Sequence, residues 1–81
     1  MEFKREIVIE RIKEAKNYGL KYANLARAID LQPMTIYLFV NGNTNLSKEK
    51  QLEALCIIED YINNAKERLR KIEHKGVAIN E

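Results

Sequence analysis

The sequence predicts an all-α fold of four helices, the last of them much longer than the others. Two observations lead to this prediction. The 81 residues include only one proline and three glycines, so long stretches lack helix-breaking residues. Within these stretches, apolar residues recur at intervals of three and four, as they do along one face of a helix. A chain of this length is expected to form one domain around a single core.

The composition argues against several classes of protein. Hydrophobic residues make up 46% and charged residues 32%, as in an ordinary helix-rich domain and unlike a disordered chain. The single cysteine cannot form an internal disulfide, and no Cys/His cluster predicts a metal site. No apolar run predicts a membrane span and the charged beginning is unlike a signal peptide, so a cytoplasmic protein is expected. Without a nucleophile, base or metal constellation, we expect no enzymatic activity and no cofactor.

The first helix is predicted over about residues 3–17. Its apolar residues recur along roughly one face of the helix: Phe3, Ile7, Val8, Ile12, Ala15 and Tyr18. Ile9 lies off this face and is expected to be exposed or to contact a partner. Gly19 is expected to end the helix in the left-handed conformation that glycine adopts readily.

Two short helices follow, separated by a tight turn. The second helix is predicted over about residues 22–29, after Lys21, which is a poor capping residue. Asp30 begins the turn, and aspartate tolerates the left-handed backbone that such a turn needs. The third helix begins at Pro33, because a first helical position needs no amide hydrogen, and it ends at Asn41-Gly42.

The fourth helix is predicted from its capping residue, Ser47, to about Lys75. Neither proline nor glycine interrupts this stretch, and Gly76 is expected to end it. Six apolar residues are spaced 3, 4, 3, 4 and 3 apart, which is typical of a coiled-coil seam: Leu55, Ile58, Ile62, Ala65, Leu69 and Ile72. Cys56 is expected to be buried beside this seam.

The seam has two interpretations. It can fold against the first helix within one chain, or two copies can pair along it. The first helix covers about half the length of the last, which would leave Ala65, Leu69 and Ile72 exposed in a monomer. This favours a homodimer whose two long helices form a parallel or an antiparallel coiled coil.

Residues 22–42 resemble the helix-turn-helix of phage-repressor-type transcriptional regulators (the Cro/cI-like, XRE family). The resemblance rests on small Ala26, where the two helices would cross closely, on the closing Asn41-Gly42, and on five apolar positions: Leu25, Ile29, Leu31, Ile36 and Phe39. Asp30 departs from the family, which usually has glycine there. The expected organisation is a helix-turn-helix DNA-binding domain over residues 1–54, a dimerisation helix over 55–75 and a flexible tail over 76–81.

The resemblance implies that the third helix lies in the major groove of double-stranded DNA. Its outward residues are expected to contact the bases: Gln32, Pro33, Met34, Thr35, Tyr37, Leu38 and Asn41. The amides of Gln32 and Asn41 suit adenine, and apolar side chains such as Met34 suit thymine methyl groups, so an A·T-containing site is expected. Phosphate contacts are expected from a second set: Lys21, Tyr22, Arg27, Asn43, Thr44, Asn45 and Lys48.

The charge of this region is only mildly basic. The net charge of the whole chain is +2, and no lysine or arginine lies between Gln32 and Asn45. We therefore expect modest non-specific affinity for DNA and a shallow dependence on salt.

These features together predict a small dimeric transcriptional regulator of phage or mobile-element type, with repression expected more than activation. Its operator would be a palindrome, because two modules related by a twofold axis contact two half-sites. The alternative is an adaptor or inhibitor that binds another protein. It would use the long helix and the apolar residues Met34, Tyr37 and Leu38, since aromatic residues and methionine are enriched at protein interfaces.

Overall fold

The structure is a computed structural model that describes the backbone of residues 4–79 and the side chains of residues 4–72. All regular secondary structure in this part of the chain is helical: α1 (Arg5–Asn17), α2 (Tyr22–Ala28), α3 (Pro33–Val40) and α4 (Lys48–Ile79). The all-α prediction and the order of the four helices are confirmed. Phe3, which was predicted to begin the first helix, lies outside the described residues.

The first three helices end in the same backbone motif. Just beyond the last turn of each lies a residue of positive φ: Gly19 (108°), Asp30 (60°) and Gly42 (80°). The amide of this residue and the next amide both donate to carbonyl groups of the preceding turn, which is the Schellman arrangement. After α2, for example, Leu31 N donates to Ala26 O at 2.8 Å. The left-handed conformations predicted for Gly19 and Asp30 are confirmed.

The beginning of α4 is held by three hydrogen bonds. Ser47 caps the helix as predicted, because its Oγ accepts a hydrogen bond of 3.1 Å from the Lys50 amide. The buried side chain of Gln51 donates from Nε2 to the carbonyl oxygen of Leu46 at 2.8 Å. Lys50 Nζ donates to the carbonyl oxygen of Ile29 at 2.6 Å. The last of these bonds ties the start of α4 to the end of α2.

The predicted end of the fourth helix is wrong. α4 passes Gly76 and continues to Ile79. Glycine costs a helix about 1 kcal/mol relative to alanine, but it keeps its amide donor and therefore does not break the helix as proline would. The tail was predicted over residues 76–81, of which residues 80 and 81 lie outside the described part of the chain.

One hydrophobic core joins all four helices. α1 packs mainly against α4, and α2 packs mainly against α3. Eight large side chains are almost completely buried: Val8, Ile12, Leu25, Ile29, Ile36, Phe39, Ile58 and Ile62. Ala26 is also fully buried, as predicted, whereas Leu31 is only half-buried.

The buried face of α1 differs from the predicted one. Ile7 was placed on the apolar face but is 48% exposed, whereas Ile9 is half-buried and packs against the core. α1 contacts both α3 and α4, so its buried face is broad and includes Ile9 at one edge. Ile7 lies at the other edge, beside an open groove between α1 and α4.

The residues of the predicted dimer seam fall into two groups. Ile58, Ile62 and Ala65 are at most 5% exposed, and Leu55 is half-buried against the same core. The side chains of Ile58, Ile62 and Ala65 are buried within the chain, so the prediction that these three contact a second copy is wrong. Leu55 also lines the open groove between α1 and α4. The covering helix reaches farther than expected, since the end of α1 lies beside Ala65.

The other seam residues and Cys56 are exposed. Leu69 is 48% exposed and Ile72 is 63% exposed, because both lie beyond the part of α4 that α1 covers. Cys56 was expected to be buried, but it faces the same open groove as Ile7. The apolar pattern of α4 is therefore used for the core in its first part and left uncovered in its second.

Candidate nucleic-acid interface

α3 has one buried face and one exposed face. Ile36 and Phe39 are fully buried, whereas Met34 is 63% exposed and Tyr37 is 54% exposed. At the two ends of the helix, three further residues of the predicted base-contacting set are exposed: Gln32, Pro33 and Asn41. The exposed face of this eight-residue helix thus presents a phenol, a thioether and two carboxamides, with no charged side chain.

Two residues of the predicted base-contacting set are less accessible. Thr35 and Leu38 are half-buried, so the exposed face of α3 is narrower than the sequence suggested. Gln32 immediately precedes the helix but makes no side-chain capping bond to it. Its carboxamide is therefore not used to stabilise the start of α3.

A polar cleft of about 610 Å³ lies beside the exposed face of α3, between α1, α2 and the end of α3. It brings Tyr22, from the predicted phosphate-contacting set, next to Tyr37 and Asn41, from the predicted base-contacting set. Lys13 and Lys16 of α1 also line the cleft. Neither lysine was predicted from the sequence to contact DNA, although the two lie three residues apart in the polar part of the first helix.

The turn between α2 and α3 forms a second, smaller depression of about 260 Å³. Here Arg27 lies near Pro33, so one more predicted phosphate contact is close to the start of α3. Lys21 and Lys48 are exposed at the beginnings of α2 and α4.

The loop between α3 and α4 is fixed from α1. Arg5 Nη2 donates to the carbonyl oxygen of Thr44 at 3.2 Å, and the Arg5 guanidinium lies 5.7 Å from the centre of the Phe39 ring. Within the loop, Asn45 Oδ1 accepts a hydrogen bond of 3.0 Å from the Leu46 amide. Asn43 is exposed and Thr44 is half-buried. Arg5 thus holds a loop whose residues were predicted to contact phosphates.

A third concave surface is an apolar groove of about 660 Å³ between α1 and α4. The apolar side chains of Ile7, Leu52 and Leu55 line it, together with Cys56. At its edge Arg11 donates two hydrogen bonds to Glu59, which lower the pKa of that carboxyl below its ordinary value. The groove is separate from the exposed face of α3 and shares no lining residue with the polar cleft.

Two kinds of site are missing from the part of the chain that the structure describes. No three His, Cys, Asp or Glu side chains come together in a way that could hold a metal ion. No helix there combines the length and the apolar character needed to cross a membrane.

Comparison with known protein families, curated proteins and solved structures finds no match to this chain.

Proposed function

We propose that the protein binds double-stranded DNA in a sequence-specific manner, as a small dimeric regulator of transcription, and that α3 contacts the bases. The observation that carries this proposal is the two-sided character of α3. Its inner face is fully buried, while Met34 and Tyr37 are exposed between the carboxamides of Gln32 and Asn41. The major groove is about 12 Å wide and admits a helix of this kind.

The chemistry of the exposed face favours A·T base pairs. A carboxamide can donate a hydrogen bond to N7 of adenine and accept one from the N6 amino group, which suits Gln32 and Asn41. Met34 offers an apolar contact to the methyl group of thymine, and Tyr37 offers both an apolar ring and a hydroxyl. An uncharged surface of this type leaves most of the electrostatic attraction to residues around α3.

The connection between α2 and α3 supports a helix-turn-helix. Only four residues separate the two helices, the chain turns through the positive φ of Asp30, and α2 packs against α3 with Ala26 fully buried. In a helix-turn-helix the first helix crosses the DNA backbone while the second enters the groove. The cationic side chains of Lys21, just before α2, and of Arg27, on α2, would then contribute phosphate contacts.

The exposed end of α4 supports a homodimer. The 32 residues of α4 span roughly 48 Å, whereas the 13 residues of α1 span roughly 20 Å. The uncovered part of α4 carries Leu69 and Ile72 on the continuation of its core face. Pairing of two copies through these residues would present two α3 helices to a palindromic operator, whose half-sites lie about 34 Å apart. Occupancy of such an operator would repress transcription.

A selection from a random-sequence pool of DNA duplexes, at low and at physiological salt, tests the proposal. We expect enrichment of a palindromic site that contains A·T pairs. Tyr37→Ala and Asn41→Ala should each lower the affinity for this site by about tenfold or more. Asn64→Ala is a matched control, because Asn64 is an exposed asparagine on α4, far along the chain from α3. If no sequence is enriched, the proposal fails.

The second candidate function is that of a protein-binding adaptor or inhibitor. The observation that favours it is the open apolar groove beside Ile7, Leu52 and Cys56. An adaptor that used this groove would lose its partner on Leu52→Lys, while any affinity for DNA would be unchanged. A DNA-binding regulator would show the opposite pattern, with Leu52→Lys silent and Tyr37→Ala damaging.

A further inference from the structure

We infer that the polar cleft between α1, α2 and α3 binds a phosphodiester group of the DNA backbone, with Lys13 and Lys16 as its cationic contacts. This inference rests on the proposed function and extends it to α1, a helix for which no DNA contact was predicted from the sequence.

The cleft is lined by groups that bind anions. α1 contributes Lys13, Lys16 and Asn17, α2 contributes Tyr22, and Tyr37, Asn41 and one apolar side chain, Val40, come from the end of α3. These side chains carry two ammonium groups, two carboxamides and two phenolic hydroxyls, all of which can donate hydrogen bonds. No carboxylate is among the lining residues. A singly charged phosphodiester is therefore a better match to this cleft than a cation or an apolar ligand.

Both lysines are available for such a ligand. Lys13 and Lys16 are exposed, and neither forms an ion pair with a described carboxylate within 4 Å. The ammonium of Lys16 lies 4.9 Å from the centre of the Tyr22 ring. This cation–π contact holds the charge at the cleft without neutralising it. Glu14, which lies between the two lysines in sequence, is instead paired with Arg11.

The position of the cleft relates the phosphate contact to base recognition. Tyr37 and Asn41 belong both to the exposed face of α3 and to the wall of the cleft. A phosphate in the cleft would therefore lie beside the edge of the major groove that α3 enters. Phosphate contacts position a protein on the duplex, whereas base contacts give specificity. In this inference Lys13 and Lys16 position α3 on the duplex, and they do not contribute to recognition of the DNA sequence.

The test compares two lysine pairs by fluorescence anisotropy, using the selected duplex and a scrambled duplex over a range of salt concentrations. Lys13→Ala/Lys16→Ala should weaken binding to both duplexes by the same factor. It should also reduce the slope of log K against log [salt] by about 2 per protomer. Lys66→Ala/Lys71→Ala is the matched control, since both of these lysines are exposed on α4 away from the cleft, and its slope should equal that of the wild type.

Two further variants test whether the salt slope depends on the charges of Lys13 and Lys16 or on an effect of the substitutions on the fold. Lys13→Arg/Lys16→Arg keeps both charges and should retain the wild-type slope. Lys13→Ala alone leaves the contact between Lys16 and Tyr22 in place and should reduce the slope by about 1 per protomer. If the wild type binds DNA and the double alanine variant keeps the wild-type slope, the inference is overturned and the proposed function still stands. If the wild type binds no DNA, both fail.

A free phosphate ion is the other ligand whose chemistry would match this cleft. Replacing chloride with inorganic phosphate at constant ionic strength distinguishes the two ligands. If inorganic phosphate alone shifts the amide NMR signals of residues 13–22, and the double alanine variant keeps the wild-type salt slope with DNA, the cleft is a site for the free ion. That outcome also overturns the inference. With a phosphodiester site, the same signals shift on addition of duplex and the salt slope falls in the variant.

Discussion

Arg11 and Glu59 join α1 to α4 through two parallel hydrogen bonds. Arg11 Nε donates to Glu59 Oε2 at 2.6 Å, and Arg11 Nη2 donates to Glu59 Oε1 at 2.7 Å. These hydrogen bonds lower the pKa of Glu59, and the same interaction raises the pKa of Arg11. Both side chains are partly exposed, so water screens the pair and its contribution to stability is about 1 kcal/mol or less.

Glu59→Gln should lower the free energy of unfolding at pH 7 by about 0.5–1 kcal/mol. The pKa of Glu59 is lower in the folded chain than in the unfolded chain, so its carboxylate stabilises the fold above its ordinary pKa of 4.5. That contribution disappears as the pH falls through the folded-state pKa. Urea denaturation at pH 7 and at about pH 3 should therefore show a difference between wild type and variant that shrinks in acid.

Glu67→Gln is the control for this pH dependence. Glu67 pairs with Arg70 on the same helix, but both side chains are at least half exposed and the pair joins no second helix. Its loss should change stability by no more than about 0.5 kcal/mol at any pH. A Glu59→Gln effect that persisted unchanged in acid would show that packing, and not the ion pair, causes it.

Asp30→Gly should stabilise the protein by about 0.5–1 kcal/mol. Asp30 has a φ of 60°, a conformation in which the Cβ of any residue other than glycine is strained. Ala28→Gly, two residues earlier in the last turn of α2, should instead destabilise by about 1 kcal/mol, because that position is helical. Thermal denaturation of the two variants should thus give shifts of opposite sign. A lower melting temperature for Asp30→Gly would mean that the aspartate side chain stabilises the turn.

Ala26→Leu should destabilise the fold by about 1–3 kcal/mol. Ala26 is fully buried in α2, the helix that packs on α3, and the larger side chain has no space there. Ala23→Leu, on the exposed side of the same helix, adds the same atoms and should change stability by less than about 0.5 kcal/mol. Denaturant titration of both variants measures the contrast. Equal tolerance of the two leucines would show that α2 and α3 can separate at Ala26.

Leu69→Lys/Ile72→Lys should convert a dimer to a monomer without unfolding it, as measured by sedimentation at micromolar concentration and by circular dichroism. Both side chains are exposed in the single chain, so the charges cost the monomer little. Leu52→Lys is the control, because Leu52 is also exposed on α4 but lies beside the groove near Ile7. A wild-type protein that sediments as a monomer would rule out pairing through this end of α4.

The sequence was sufficient for the features that depend on local chemistry. Gly19 and Asp30 end helices in the left-handed conformation, and Ser47 caps α4, because each effect needs only the residue and its near neighbours. Burial of Leu25 and Ile36 was also predicted, because both are among the apolar positions on which the resemblance to a helix-turn-helix rests.

The features that depend on which surfaces meet were not predictable in the same way. The heptad spacing of Ile58 and Ile62 is the same whether a second copy or α1 covers them, and α1 does. The exposure of Cys56 depends on how α4 is rotated against α1, which the spacing of apolar residues does not define to within one residue. The cleft at Lys13 and Lys16 arises from three helices and has no signature in any one of them.

The division of α4 at Ala65 has a consequence for how relatives of this chain can diverge. The core side chains of α4 end at Ala65, whereas Leu69 and Ile72 beyond it are exposed. Substitutions at Leu69 and Ile72 would therefore change any pairing through this end of α4 at almost no cost in folding. If two copies pair through this end of α4, as proposed above, duplicated genes could evolve products that no longer exchange subunits, while each keeps the same four-helix core.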